Sequence, residues 1–432
     1  MIRIKNGHVC DPKSGFDNKA DIYISQGKIK AIVPVVDGVK AAVPSFKDNA
    51  SYREINAEGM VVAPGLVDVH SHFRDPGFTY KEDIISGAKA AAAGGYTSVV
   101  LMCNTKPCVD NEATLKYVLD KGKKTGINVY SCANVSMGMR RTEPVPMEEL
   151  AALGAKGFTD DGLAILNEDL VIEAMKRAAK LKLPISFHEE DPRMIVNSGI
   201  NRGRVSEYLA LGGAPREAEY TLVARDINLC ERYGATIDIQ HVSCKETVDY
   251  IRRAKERGVD VHAEATPQHF TLTEEAVLRY KANAKINPPL REEADRRAII
   301  EGLRDNTIDM IATDHAPHST EEKSRELTEA PSGIIGLETA LALGVTILVN
   351  NEGFSLMTLL ERMTVGPAKV YGLDAGYIAE GGPADLCIFD PAEVVIPCKY
   401  KSKSENSPFT GWELRGKVFY TICAGKVVYE AM

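Results

Sequence analysis

From Asp68 to about Asn350 the chain alternates short apolar β-like runs with longer segments of helical spacing. Eight such runs can be read: VDVHSHF, YTSVVLMCN, INVYSCANV, AKGFTDD, PISFHEE, ATIDIQHVS, DVHAEATPQHF and IDMIATDH. When a helix separates each strand from the next, the chain must cross back over the sheet, so successive strands pair in parallel. Eight parallel strands with eight covering helices close into a (β/α)8 barrel of the TIM type, which takes about 250 residues or more. The segments EDIISGAKAAAAG, NEDLVIEAMKRAAKLK and REAEYTLVARDINLCERYG have the spacing and polar faces of the covering helices. An α/β barrel over 64–374 is therefore expected.

The two ends of the chain have a different texture. Residues 1–63 and 375–432 are rich in short alternating runs and glycine turns, such as IRIKNGHVCDP, ADIYISQGKIKAI and TICAGKVVYE. Neither end is long enough to make a stable sheet with its own core, so the two are expected to pair into one small β-sandwich beside the barrel. The polar stretch STEEKSRELTEAPSG follows the eighth run directly, and its residues 319–331 are a candidate lid over the barrel mouth.

Composition narrows the function classes. With a formal charge of −8 and no dense basic cluster, the chain has little to hold a phosphate backbone, which argues against a nucleic-acid partner. No run is long and apolar enough to span a bilayer. The nine cysteines contain no C-x-x-C pair and form no ligand-spaced cluster with histidine, so neither a zinc ribbon nor a redox dithiol is expected. Scattered thiols fit a reducing cytoplasm, and the expectation is a cytoplasmic enzyme.

The chemistry gathers at the ends of the runs, which is where barrels of this kind place their active sites. His70 and His72 lie two apart on the first run, so both imidazoles leave one face, as two ligands of one metal must, while Val67 and Val69 face the helices. His188, His241 and Asp314 end the fifth, sixth and eighth runs, and His315 and His318 follow closely. Four imidazoles and a carboxylate exceed the needs of one tetrahedral zinc, so two metals are implied. The bridge between them comes from GFTDDG on the fourth run. Gly157, Thr159 and Asp161 share a face of small polar groups, which makes Asp161 the inward bridge and leaves Asp160 to support from outside or to cap the next segment. At the sixth run parity is less clean, because Ile237 and Ile239 share the face of His241. Such a pair of cations activates water for hydrolysis, and Asp314 is placed to carry the proton between water and a leaving nitrogen. Arg74, two residues beyond His72 on the same strand face, can grip a carboxylate with two parallel hydrogen bonds.

With these residues in view, the chain resembles the bacterial-type dihydroorotases of the amidohydrolase superfamily. DVHSHFRDPG, MCNTKP, GFTDDG, FHEED, QHVSCKE, KINPPLR, ATDHAPH and GIIGLETA carry the resemblance in order along nearly the whole chain. It implies two Zn2+ ions bridged by Asp161 and a hydroxide, with His70, His72, Asp161 and Asp314 serving one ion and His188, His241 and Asp161 the other. It implies substrate contacts at His72, Arg74, Asn104, Asn287 and His318, with backbone help near Ser332 and Gly333, and the interconversion of N-carbamoyl-L-aspartate and L-dihydroorotate in pyrimidine biosynthesis. It further implies a homo-oligomer, taken as a dimer, with aspartate transcarbamoylase as a candidate partner. Three positions depart from the pattern: Cys103 stands where proline is usual, Ser332 where a bulky phenylalanine is frequent, and Gln268 replaces a frequent histidine. Two other readings stay open: an allantoinase or hydantoinase, which shares the metal site without needing a carboxylate grip, and a barrel that has lost catalysis and survives as a structural partner. His262 and His269 on the seventh run are read as structural.

Overall fold

The computed structural model describes residues 1–36, 39–40 and 53–431. All eight runs take part in one ring. Leu66–Ser71, Tyr96–Leu101 and Asn128–Ser131 make one parallel ladder. Ile185–Phe187, Ile237–Ile239, Val261–Ala265 and Met310–Ile311 make another. Phe158, the whole stave contributed by the fourth run, bridges Ala133 on one side and Ile185 on the other, and Ser71 bridges His315, all in parallel. Backbone bonds at these joints are ordinary: Ser186 N donates to Phe158 O at 2.9 Å and His72 N to His315 O at 2.9 Å.

The covering helices Ile84–Ala93, Glu168–Leu181 and Glu217–Tyr233 lie where their spacing predicts. The first is built of small residues because it lies tightly on the strand beside it. A Cβ on Gly87 would stand 2.4 Å from the Phe73 ring, so only glycine lets the helix approach.

The first strand departs from simple alternation. Val67 and Val69 pack with Val100, Met102, Cys132, Met310 and Ala312, in a cluster separate from the one that joins Leu66, Tyr96 and Val99 to the covering helices. Met102 Sδ in turn accepts from Gln240 Nε2 of the sixth run at 3.4 Å, a contact across the barrel. The parity assigned to the valines is therefore reversed. His70 still reaches the interior because the register shifts between Asp68 and Ser71, where three steps oppose two on the neighbouring strand, as in a bulge. Tyr371 plugs the lower end, where its hydroxyl donates to Asp238 Oδ2 at 2.7 Å.

Both chain ends enter one hydrogen-bonded sheet. Its order runs Lys426–Glu430, Leu414–Cys423, Leu386–Val395, Val61–Pro64, Ile2–Asp11, Phe16–Ser25, Lys28–Val36 and Val39–Lys40, with Arg53–Asn56 beside Ile2–Asp11. A separate apolar cluster including Ile4, Ile22, Ile29, Leu386, Ile388 and Ile422 holds it together. Between two of these strands the chain leaves the sheet and runs to the barrel mouth. There Lys401 N and Ser402 N donate to the Glu338 carboxylate at 2.9 and 3.1 Å. Among the described residues no helix is long and apolar enough to cross a membrane.

Candidate metal centre and active site

At the upper end of the barrel a cavity of about 180 Å³ is lined by His72, Arg74, Asn104, Asp161, Gly162, His188, His241, Asn287, Asp314, Ala316, His318, Ser332 and Gly333. His70 lies buried against it. Residues expected from six different strand ends and two loops thus meet in one place.

Asp161 is the centre of the cluster. Its Oδ1 stands 3.4 Å from His70 Nε2, 3.7 Å from His188 Nδ1 and 3.9 Å from His241 Nε2, and its Oδ2 stands 3.4 Å from His72 Nε2. Asp314 Oδ1 is 3.1 Å from His72 Nε2 and 3.6 Å from His70 Nε2. Two atoms bound to a tetrahedral ion at about 2.0–2.1 Å are about 3.4 Å apart, so these separations suit cations between the side chains better than direct hydrogen bonds. The His70 Nε2 atom is buried without a hydrogen-bond partner, which a cation would supply. His188 and His241 are closer, with Nδ1 and Nε2 2.9 Å apart. The residues present fit a metal centre of hard and borderline donors.

Three of these residues have left-handed backbones: φ is +57° at Arg74, +33° at His241 and +46° at Asp314. Such conformations cost about 1–3 kcal/mol for a non-glycine residue and concentrate at functional sites. They also correct the strand-face arguments. The sixth strand ends at Ile239, and the turn at His241 brings in a side chain that alternation would have sent out with Ile237 and Ile239. Arg74 lies beyond the strand Leu66–Ser71, not on its face, and reaches the cavity through its own turn.

The electrostatics follow from burial. Burial would raise the Asp161 carboxyl, but the imidazoles of His70, His72 and His188 hold it well below the usual carboxylate range. Burial alone would lower His70, yet the carboxylates of Glu264 and Asp161 hold it well above its ordinary value. His72 and His241 are both pushed down, first by burial and then by neighbouring positive groups, which favours the neutral imidazole that a metal needs.

One wall is cationic. Arg74 Nε donates to Pro317 O at 3.2 Å, and its Nη2 lies 3.4 Å from His318 Nε2. Lys81 Nζ lies 3.2 Å from His318 Nδ1, while His318 Nε2 donates to Ser332 O at 2.9 Å. Burial, Arg74 and Lys81 together push the His318 imidazole far down, so it stays neutral. Gly333 has φ +131°, and a Cβ there would stand 2.7 Å from Ala316 Cβ. Asn287 Oδ1 accepts from Ser198 Oγ at 2.8 Å. Asn104 faces the ligands: Oδ1 is 3.0 Å from His72 Nδ1, and Nδ2 donates to Asp161 Oδ2 at 3.0 Å.

Some supporting residues were not foreseen. Glu264 Oε2 is 2.8 Å from His70 Nδ1 and fixes that ring. Its signal was available, as the one carboxylate inside the apolar run VHAEA. Asn406 had none, coming from a polar stretch far along the chain. It accepts from His318 N at 3.1 Å and donates to Ala316 O and Gly333 O at 3.1 and 3.0 Å. Asp160 does not cap the following segment. It accepts from Val135 N and Ser136 N at 3.0 and 3.2 Å and so fastens the preceding loop. The candidate lid is tied down by two lysines: Lys285 Nζ donates to Leu327 O and Ala330 O at 2.8 and 2.7 Å, and Lys323 Nζ to Pro331 O and Gly333 O at 2.9 Å each. His315, His262 and His269 lie outside the cluster. His315 Nε2 faces Glu82 at 3.5 Å, His262 pairs with Asp309, and His269 with Thr266 and Pro288 O.

The profile of the amidohydrolase family matches residues 61–428. A dihydroorotase of Clostridioides difficile (strain 630) is 54% identical over 432 residues, covering 100% of both chains. A dihydroorotase of Clostridium acetobutylicum is 50% identical over 435 residues, with the same coverage. Among solved structures, an L-hydantoinase (dihydropyrimidinase) from Arthrobacter aurescens superposes with a TM-score of 0.85 at 26% identity, covering 99% of this chain and 96% of that one. The dihydropyrimidinase of Brevibacillus agri NCHU1002, at 24% identity and a TM-score of 0.84 over 99% of this chain and 95% of its own, shares the fold.

Proposed function

We propose that this chain, which belongs to the amidohydrolase family, is a dihydroorotase that interconverts N-carbamoyl-L-aspartate and L-dihydroorotate, the ring-closing step of pyrimidine synthesis. The observation that carries the reading is one cavity that joins an Asp161-centred cluster of imidazoles to a wall bearing Arg74. Both the open and the closed form of that substrate carry a carboxylate, and the wall offers it a planar donor fork.

His70, His72, Asp161 and Asp314 would hold one Zn2+, and His188, His241 and Asp161 a second. Ions so held supply a Lewis acid for a carbonyl oxygen and an activated water at neutral pH. The chain does the rest. In ring opening, water adds to the ring carbonyl next to the methylene and the bond from that carbon to the ring nitrogen breaks; Asp314 takes a proton from the water and returns it to the departing nitrogen. In ring closure the ureido nitrogen attacks the side-chain carboxyl, gives its proton to Asp314, and water leaves. Asn104 and Glu264 keep the imidazoles of His72 and His70 aimed. Asn287, His318 and the backbone near Ser332 and Gly333 form the substrate side of the cavity.

The likeness to hydantoinases supports a second cyclic-amide reading, and the cationic wall argues against it. Purified, metal-analysed protein is expected to turn over dihydroorotate far faster than hydantoin or allantoin. Faster turnover of either rival ring overturns the reading. A homo-oligomer and an aspartate transcarbamoylase partner belong to the same proposal, and sizing the protein with and without that partner tests both.

A further inference from the structure

The terminal sheet carries a second convergence of metal-ligating groups. Ile2–Asp11 and Phe16–Ser25 pair antiparallel, with Cys10 opposite Asp17 and His8 opposite Lys19. Directly opposed residues share a face, and so do residues two apart on a strand, so His8, Cys10 and Asp17 project together. The register is secured at the turn, where Asp11 accepts from Ser14 N at 3.1 Å and from Ile378 N at 3.1 Å. This corrects the expectation that no cysteine has ligand spacing to a histidine: His8-Val9-Cys10 has it, and the hairpin adds the third donor.

We propose that His8 Nε2, Cys10 Sγ and an Asp17 carboxylate oxygen form a divalent-cation site, separate from the barrel centre, with a donor set suited to zinc. The three donor atoms lie within 4.8 Å of one another. Cys10 Sγ is 3.4 Å from Asp17 Oδ1, close to the separation of two donors on one tetrahedral ion. His8 Nε2 and Asp17 Oδ1 are 2.5 Å apart, in hydrogen-bond contact, and must separate by about 1 Å on binding. Their side chains are 47% and 53% exposed, so neither is held by packing.

The fourth position opens on a cavity of about 320 Å³, completed by Val61, Ser355, Leu356 and Met357, where the helix Leu356–Met363 meets the sheet. Water or a small anion fits there. Burial and Asp17 push the Cys10 thiol up to about 12, so binding is coupled to loss of that proton, and the cation provides the charge that makes the thiolate stable. Lys19 faces His8 across the hairpin, and its long stem lets it swing into solvent.

Cobalt substitution tests the site by itself, because none of the barrel ligands is a thiol. Apoprotein loaded with Co2+ is expected to show a thiolate-to-cobalt charge-transfer band that disappears in Cys10→Ser and in His8→Ala. Zinc-loaded wild type should hold one more equivalent than either variant. His8 is exposed, so its variant keeps the test valid if Cys10→Ser folds poorly. A cobalt spectrum without that band, a band that survives in both variants and so belongs to another cysteine such as Cys398, or equal zinc content in wild type and His8→Ala would each overturn the proposal. Dihydroorotate turnover should be unchanged in both variants, so a failure here leaves the barrel reading standing, and the reverse also holds.

Discussion

The two ends of the barrel interior are built from the same strands and differ in almost every physical respect. The lower end is filled by Val67, Val69, Val100, Met102 and Met310 above the Tyr371 plug, where Asp238 Oδ2 accepts from Ser186 Oγ and the Tyr371 hydroxyl. At the upper end histidines and carboxylates stand 3–4 Å apart with an orphaned imidazole nitrogen, and three non-glycine residues carry left-handed backbones. A larger cavity, about 640 Å³, lies outside the lower end, among Leu119, Val129, Leu153, Lys156 and Val428. Size therefore does not mark the site. What marks it is buried charge and strain that only a ligand could repay.

The contrast can be broken most severely at Asp161. Asp161→Asn should lose tightly held metal and abolish turnover, read by metal analysis and by assay. Asp314→Asn should keep most of its metal while turnover falls on the order of 10²–10⁴-fold, the usual worth of a positioned proton carrier; near-normal rates in that variant would remove Asp314 from the mechanism. Glu264→Gln should weaken metal binding about 10–100-fold in competition with a chelator, as loss of an outer partner of a ligand does. Below the site, Val67→Ala should cost about 1–3 kcal/mol in denaturant titration yet leave turnover per folded molecule unchanged. A loss of activity there would mean that the plug and the mouth are mechanically coupled.

The smallest effect concerns pH. Burial alone would lower the His262 imidazole, but the carboxylates of Asp260 and Asp309 raise it from 6.5 to about 9. Because the folded state holds this proton more tightly than the unfolded one, its contribution is complete below about pH 6.5 and is lost as pH rises through about 9. His262→Gln should flatten that part of the stability profile, measured as Tm against pH, without moving the activity profile.

The eight runs made the fold legible, since each became a stave of the ring, even where the fourth is reduced to Phe158. In the site, His70, His72, Asp161, His188, His241 and Asp314 could be read from strand ends alone. The routes by which they arrive could not. A register shift before Ser71 and left-handed turns at His241 and Asp314 undo simple alternation, and a period-2 pattern contains no trace of either. Residues that act through others were harder to find. Glu264 looked like one charge in a strand, and Asn406 lies 88 residues beyond His318 and 90 beyond Ala316, joined to them only by folding.

That last contact has a consequence for how the protein comes into being. Every proposed barrel ligand has been synthesised once residue 314 is made, but His318 N, Ala316 O and Gly333 O lack their Asn406 contacts until that residue follows. A growing chain can thus hold a finished cluster and an unfinished substrate shelf, so competence to bind the ring should arrive in one late step as the final segment of synthesis closes over the mouth.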